Sequence, residues 1–300
     1  MYKKKRYAFL TDILSCFLFF PSISLILFEL KNLKKLVDML TFLSFIMFIQ
    51  WSSQVMLGGY PHDYKIGLII LSYVVSVLGS YVGLRLVNMG MVESEIRCRV
   101  LWLLMAAIVM GGCTIWAMHF LAMLAFHMGI EVNYDLFLTL FSMLLAMGVA
   151  AIGFLFAGLT KMSGFKIAWI GLFMGIGFAT MHYMGMAAMI MKASVSYKPL
   201  LFWSSIFIAV VASIMALWLM LTVQGCLLRW ISAFAIGTGI SCFHYIGMAA
   251  AVFTPISIQK EVLLEHAIIQ QADFVLYLSI AIIFTLAMIL FISLQDMKEN

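Results

Sequence analysis

The chain has 300 residues, of which 65% are hydrophobic and only 10% charged, with a formal net charge of +5. Soluble globular proteins carry about 25% charged residues, so 13 acids and 18 bases cannot cover a water-soluble protein of this size. A soluble enzyme, a disordered chain and a disulfide-rich secreted fold are excluded; an integral membrane protein remains, whose modest positive charge bears on orientation rather than on nucleic acid.

Nine apolar stretches follow in order, near 7–28, 39–57, 66–87, 101–126, 135–160, 166–191, 202–222, 228–252 and 273–294. Each has about the length that crosses a bilayer as a helix. Continuous rather than alternating apolarity selects helices over a barrel. The first stretch follows Lys3-Lys4-Lys5-Arg6 and contains Pro21. Three readings of it stand: a fold-back at Pro21, a span, or a signal segment ending near Ser22 and Ser24. Residues 1–57 are read as an N-terminal hydrophobic extension, 58–294 as a seven-helix membrane domain, and 295–300 as a short cytoplasmic tail. The five cysteines, Cys16, Cys98, Cys113, Cys226 and Cys242, show no CxxC spacing and read as packing residues.

A repeat runs through the later stretches. Met118-His119-Phe120-Leu121-Ala122-Met123, Met181-His182-Tyr183-Met184-Gly185-Met186 and Phe243-His244-Tyr245-Ile246-Gly247-Met248 place their histidines 63 and 62 residues apart (182 − 119 and 244 − 182). Gly112, Gly175 and Gly237 each stand seven residues before their histidine; Gly177 and Gly239 stand five before, where the first copy has Thr114. Each unit contains two crossings, so all three motifs open toward the same membrane face. With that face outside, the core loops and tail inside carry Arg85, Arg97, Arg99, Lys161, Lys166, Arg229 and Lys298, against Lys65, Lys192, Lys198 and Lys260 outside. Cytoplasmic loops are the richer in Lys and Arg, so the motifs are expected near the outer surface.

On a helix, residues four apart share a face. Each motif therefore presents an imidazole and, at i+4, a thioether, with the upstream glycine as a notch on the same stripe. Gly171, at −11 in the second copy alone, is expected to tolerate change better than Gly175. Imidazole suits several transition metals and thioether favours Cu(I), so three such helices make one copper site or two neighbouring ones. Haem competes, because His and Met are also its axial ligands. Zinc fits less well without Cys or carboxylate partners. A polar packing network is the alternative to any ligand cluster. His62, His127 and His266 lie on the motif side as weaker candidates, and Tyr183, Tyr245 and Phe120 read as packing or supporting residues.

The repeated Met-His-Tyr/Phe pattern resembles the MHYT domain, a bacterial seven-helix membrane sensor module. Gly79-Ser80-Tyr81, Gly-x-Gly before two motifs and Gly-Met-Ala-Ala after the second and third histidines also match. The resemblance covers about residues 58–294. It implies a metal site near the outer face, with copper as cofactor, formed by Met118, His119, Met123, Met181, His182, Met186, His244 and Met248. It also implies sensing of O2, CO or NO, or of redox state, in the bacterial inner membrane. Two features depart from the family pattern. The fourth motif position is Leu121, Met184 or Ile246 rather than Thr, and Phe243 replaces the methionine of the third copy. Family members often carry cyclic-di-GMP domains after the last helix; none follows here, so signalling through a separate partner is expected. No hydrolase, kinase or nucleotide motif is present, so the chain is read as a non-enzyme. A metal-handling transporter is the rival reading.

Overall fold

A computed structural model describes residues 63–127, 131–223 and 225–255, then 268–269 and helical positions between 274 and 291. The extension 1–57, the tail 295–300, His62 and His266 lie outside the described residues. Among the described residues six helices are long and apolar enough to cross a membrane: α1 (Ile66–Val92), α2 (Ile96–Ala125), α3 (Leu136–Leu159), α4 (Gly164–Ala187), α5 (Pro199–Thr222) and α6 (Leu227–Ala250). The apolar stretches from 66 onward anticipate them, and the chain is a polytopic helical membrane protein.

Local chemistry sets the helix ends. Asp135 caps α3, its carboxylate accepting from the Leu138 amide at 2.7 Å, and the Ser163 hydroxyl accepts from the Lys166 amide at the start of α4. Pro199 occupies the first turn of α5, where a missing N–H costs nothing. Gly225 precedes α6 at φ 93°, a conformation that favours glycine. Between α1 and α2 the Arg99 guanidinium donates twice to the Glu93 carbonyl, at 2.6 and 3.0 Å.

Each helix packs on the next, and α6 packs back on α1. The six therefore close a ring in which motif helices α2, α4 and α6 alternate with α1, α3 and α5. The start of α1, the two motif-side connections and the segment after α6 carry short strands that tie the ends together. β1 (Asp63–Tyr64) pairs with β2 (Phe126–His127); β3 (Asn133–Asp135) pairs with β4 (Met189–Ile190) and with β7 (Ile268–Ile269); β5 (Ala193–Tyr197) pairs with β6 (Ala251–Pro255). All pairs are antiparallel. All lie at one end of the bundle, so the three motifs open to the same end, as the two-crossing repeat requires. The described part of the last apolar stretch packs on α2, with the Phe274 ring 4.7 Å from Phe120 and 4.6 Å from Tyr134.

Small residues set the spacing of the ring. A Cβ on Gly175 would strike the backbone of Val210 and Ala209 on α5, and one on Gly237 would come within 3.0 Å of the Val77 amide on α1. In the first copy the residue that meets backbone is Gly111, 2.6 Å from the Ala146 carbonyl and the Met147 amide, while Gly112 meets only the Met147 side chain. Residues Ile108–Trp116 form a π-helical segment, whose wider turn holds one extra residue. That segment moves the notch from −7 to −8, a correction to the expectation for Gly112. Gly171 is corrected too: a Cβ there would lie 2.6 Å from the Ile214 Cα, so it packs as tightly as Gly175.

Candidate metal centre

His119, His182 and His244 meet on the axis of the ring, 1%, 0% and 1% exposed. Their ring centroids form a near-equilateral triangle of 4.8, 5.0 and 5.1 Å, each pair crossed at 76° to 89°. The Nδ1 atoms converge: His119 to His182 at 3.0 Å and His119 to His244 at 3.1 Å. The Nε2 atoms point outward and have no hydrogen-bond partner. Glycine makes room for them. A Cβ on Gly185 would strike His119 Nε2, and one on Gly247 would strike His182 Nε2. The His119 and His182 rings thus lie in the notch of the following motif helix, three residues past that helix's own histidine.

One turn toward the strand-bearing end, Met123, Met186 and Met248 form a second buried layer with Phe253, flanked by Met189 and Met191. Met118 and Met181 lie instead in the main core, because a residue directly before a histidine is rotated off the axial stripe. Phe243 touches the His182 ring at 5.1 Å. The backbone of His127 pairs with Asp63 in the end strands. Above the methionines, burial pushes the phenols of Tyr134 and Tyr197 up, Tyr197 to about 12, so both stay neutral at physiological pH.

A serine repeat orients the motif helices, and the sequence reading missed it. Ser72, Ser142 and Ser205, on α1, α3 and α5, each donate to the carbonyl three residues back at 2.7–2.8 Å. A hydroxyl has one proton, so each oxygen then accepts from its neighbour. Tyr245 donates to Ser72 at 3.1 Å, Trp116 Nε1 to Ser142 at 3.1 Å and Tyr183 to Ser205 at 2.6 Å. Each donor lies on a motif helix within three residues of its histidine, so the bond fixes the rotation that aims the imidazole inward. Ser142 and Ser205 stand 63 residues apart (205 − 142), the period of the histidine motifs, whereas Ser72 stands 70 before Ser142 (142 − 72), off that period, so spacing could have revealed only the later two.

A neutral imidazole carries its proton on one nitrogen, so an Nδ1–H of one ring can donate to the Nδ1 of the next; with the protons on Nε2 instead, the converging Nδ1 lone pairs are free to coordinate a cation. Among the described residues these histidines are the one group of three or more His, Cys, Asp or Glu side chains that could hold a metal ion.

Residues 112–168 and 175–233 match the MHYT family, described as a bacterial signalling protein N-terminal repeat. The matches begin at Gly112 and Gly175, seven residues before their histidines. The chain is 39% identical over 196 residues, 64% of its length, to the bifunctional diguanylate cyclase/cyclic di-GMP phosphodiesterase MucR of Pseudomonas aeruginosa. It is 31% identical over 230 residues, 70% of its length, to the cyclic di-GMP phosphodiesterase NbdA of the same organism. It is 29% identical over 197 residues, 63% of its length, to the signaling protein YkoW of Bacillus subtilis. The matched regions span 28%, 29% and 24% of those relatives, so the chain corresponds to less than a third of each. No solved structure matches. Residues 112–233, which carry His119 and His182 while His244 lies beyond them, are thus identified as MHYT repeats of the kind found in bacterial signalling proteins.

Proposed function

We propose that the chain is a membrane sensor module whose His119, His182 and His244 hold a copper ion through Nδ1. The observation that carries this reading is the convergence of three dry imidazole nitrogens at 3.0 and 3.1 Å with no carboxylate among them. Neutral ligands suit a site in the membrane, where bare charge is costly. The buried layer of Met123, Met186 and Met248 supports copper over zinc, because thioethers favour Cu(I). Met118 and Met181 then support the helices on which the histidines sit. Haem fits less well: the Nδ1 atoms are in mutual contact and the Nε2 atoms of His119 and His182 lie against glycines, which leaves those two rings no edge facing space for a macrocycle.

Copper would supply an open coordination position for O2, CO or NO and a one-electron couple. The protein's own residues exclude water and orient the motif helices through the serine bonds. The signal passes to a separate partner from the bacterial inner membrane, with the motif end outside. The names of the relatives point to cyclic-di-GMP turnover as the output such a module serves. Metal analysis of copper-loaded protein tests the reading. Wild type retains copper after desalting, and the folded triple His→Ala variant does not; equal copper in both would overturn it.

A further inference from the structure

A pocket of about 40 Å³, partly open rather than sealed, lies among α2 to α6 on the far side of the histidines from the methionine layer. Ile115, Phe178 and Ile240, each four residues before a motif histidine, line it together. It therefore sits one helical turn below all three imidazoles. Phe243 forms part of its wall and also touches the His182 ring, its centroid 5.1 Å away.

The cavity arises where the third repeat departs from the first two. Met110 inserts its thioether against Gly83, and Met174 does the same against Gly153. The counterparts in the third repeat are Ile236 and Ala216 (153 + 63), both of which line the cavity. Branched Ile236 cannot reach across as the two methionines do, and Ala216 offers no notch to receive it.

On the same measure a water needs about 10–15 Å³ and two to four polar partners. This cavity is large enough but offers one polar side chain, Ser213. Space of this kind stays dry and takes apolar guests such as xenon. We propose that it is a docking site for a gas-sized apolar molecule, held by dispersion beside the imidazoles. The inference rests on the sensing role above only for the identity of the gas, of the O2, CO or NO class; the site itself requires no metal.

The test uses metal-free full-length chain in nanodiscs, 13C-labelled at methionine methyls, with xenon as the probe. Met110, Met174 and Met220 line the cavity, whereas Met162 lies at the opposite end from the motifs and serves as control. Saturable shifts are expected at the first three and not at Met162. Ala216→Leu and Ile236→Phe fill the cavity from opposite walls and should abolish those shifts while keeping the helical circular dichroism of wild type. Uniform, non-saturating shifts at all methyls, or saturable shifts that survive in a folded filled variant, would overturn the site. If both variants unfold, the wild-type methyl map alone decides. Copper retention is measured separately, so loss of the metal reading leaves this result standing.

Discussion

Gly185 and Gly247 show how closely single residues constrain the centre. Each follows its own histidine by three positions, yet the ring it accommodates belongs to the preceding repeat. An imidazole cannot yield like the end of a flexible chain, so Gly185→Ala should displace His119 and Gly247→Ala should displace His182. Changes beside a metal ligand typically cost about 10–100-fold in affinity. Copper titration of each variant should show a loss of that order with the helical content unchanged. The serine bonds give a second prediction. Tyr245→Phe removes a donor to Ser72 but leaves the serine bonded to its own helix, so it should cost only about 1 kcal/mol of stability. Ser72→Leu puts a larger apolar side chain at a fully buried position between α1 and α6, and should cost more in a thermal melt.

At the scale of the helix, the π-helical segment decides which glycine carries the packing. Gly111→Ala drives a methyl into the backbone of α3, whereas Gly112→Ala meets only the Met147 side chain at 3.1 Å. Overpacking costs about 1–3 kcal/mol, while Ala gains roughly 1 kcal/mol over Gly within a helix. Gly111→Ala should therefore lower the detergent melting temperature and Gly112→Ala should leave it equal or higher. A purely local account predicts that both stabilise. The stripe of His, Met and Gly was legible because it recurs at fixed spacing. The shift to Gly111 was not, because a wide helical turn leaves no mark on residue spacing. Gly171 was misjudged for a related reason. How closely α4 approaches Ile214 depends on the path of α5, which no motif records.

For the whole molecule, the sequence made the span positions, the shared motif end and the three convergent histidines readable, because apolar length and repeat period are one-dimensional quantities. It did not reveal that α6 closes on α1, nor the serine contacts and cavity that follow from closure, since these depend on which helices become neighbours. Orientation in the membrane is tested by single-cysteine labelling in a Cys-free background. Glu131→Cys and Ser196→Cys should react from outside and Glu95→Cys and Lys161→Cys from the cytoplasm; labelling of Glu131→Cys and Ser196→Cys from opposite sides would refute the repeat argument. Metal bound only to the folded state stabilises it, so copper should raise the melting temperature of wild type and not of the triple His→Ala variant. The most direct measurement is X-ray absorption at the copper edge of the loaded protein. The account predicts a first shell dominated by imidazole nitrogen, with outer-shell imidazole scattering that disappears when His119, His182 and His244 are replaced together. A spectrum without imidazole scattering, or one unchanged by that replacement, would contradict it.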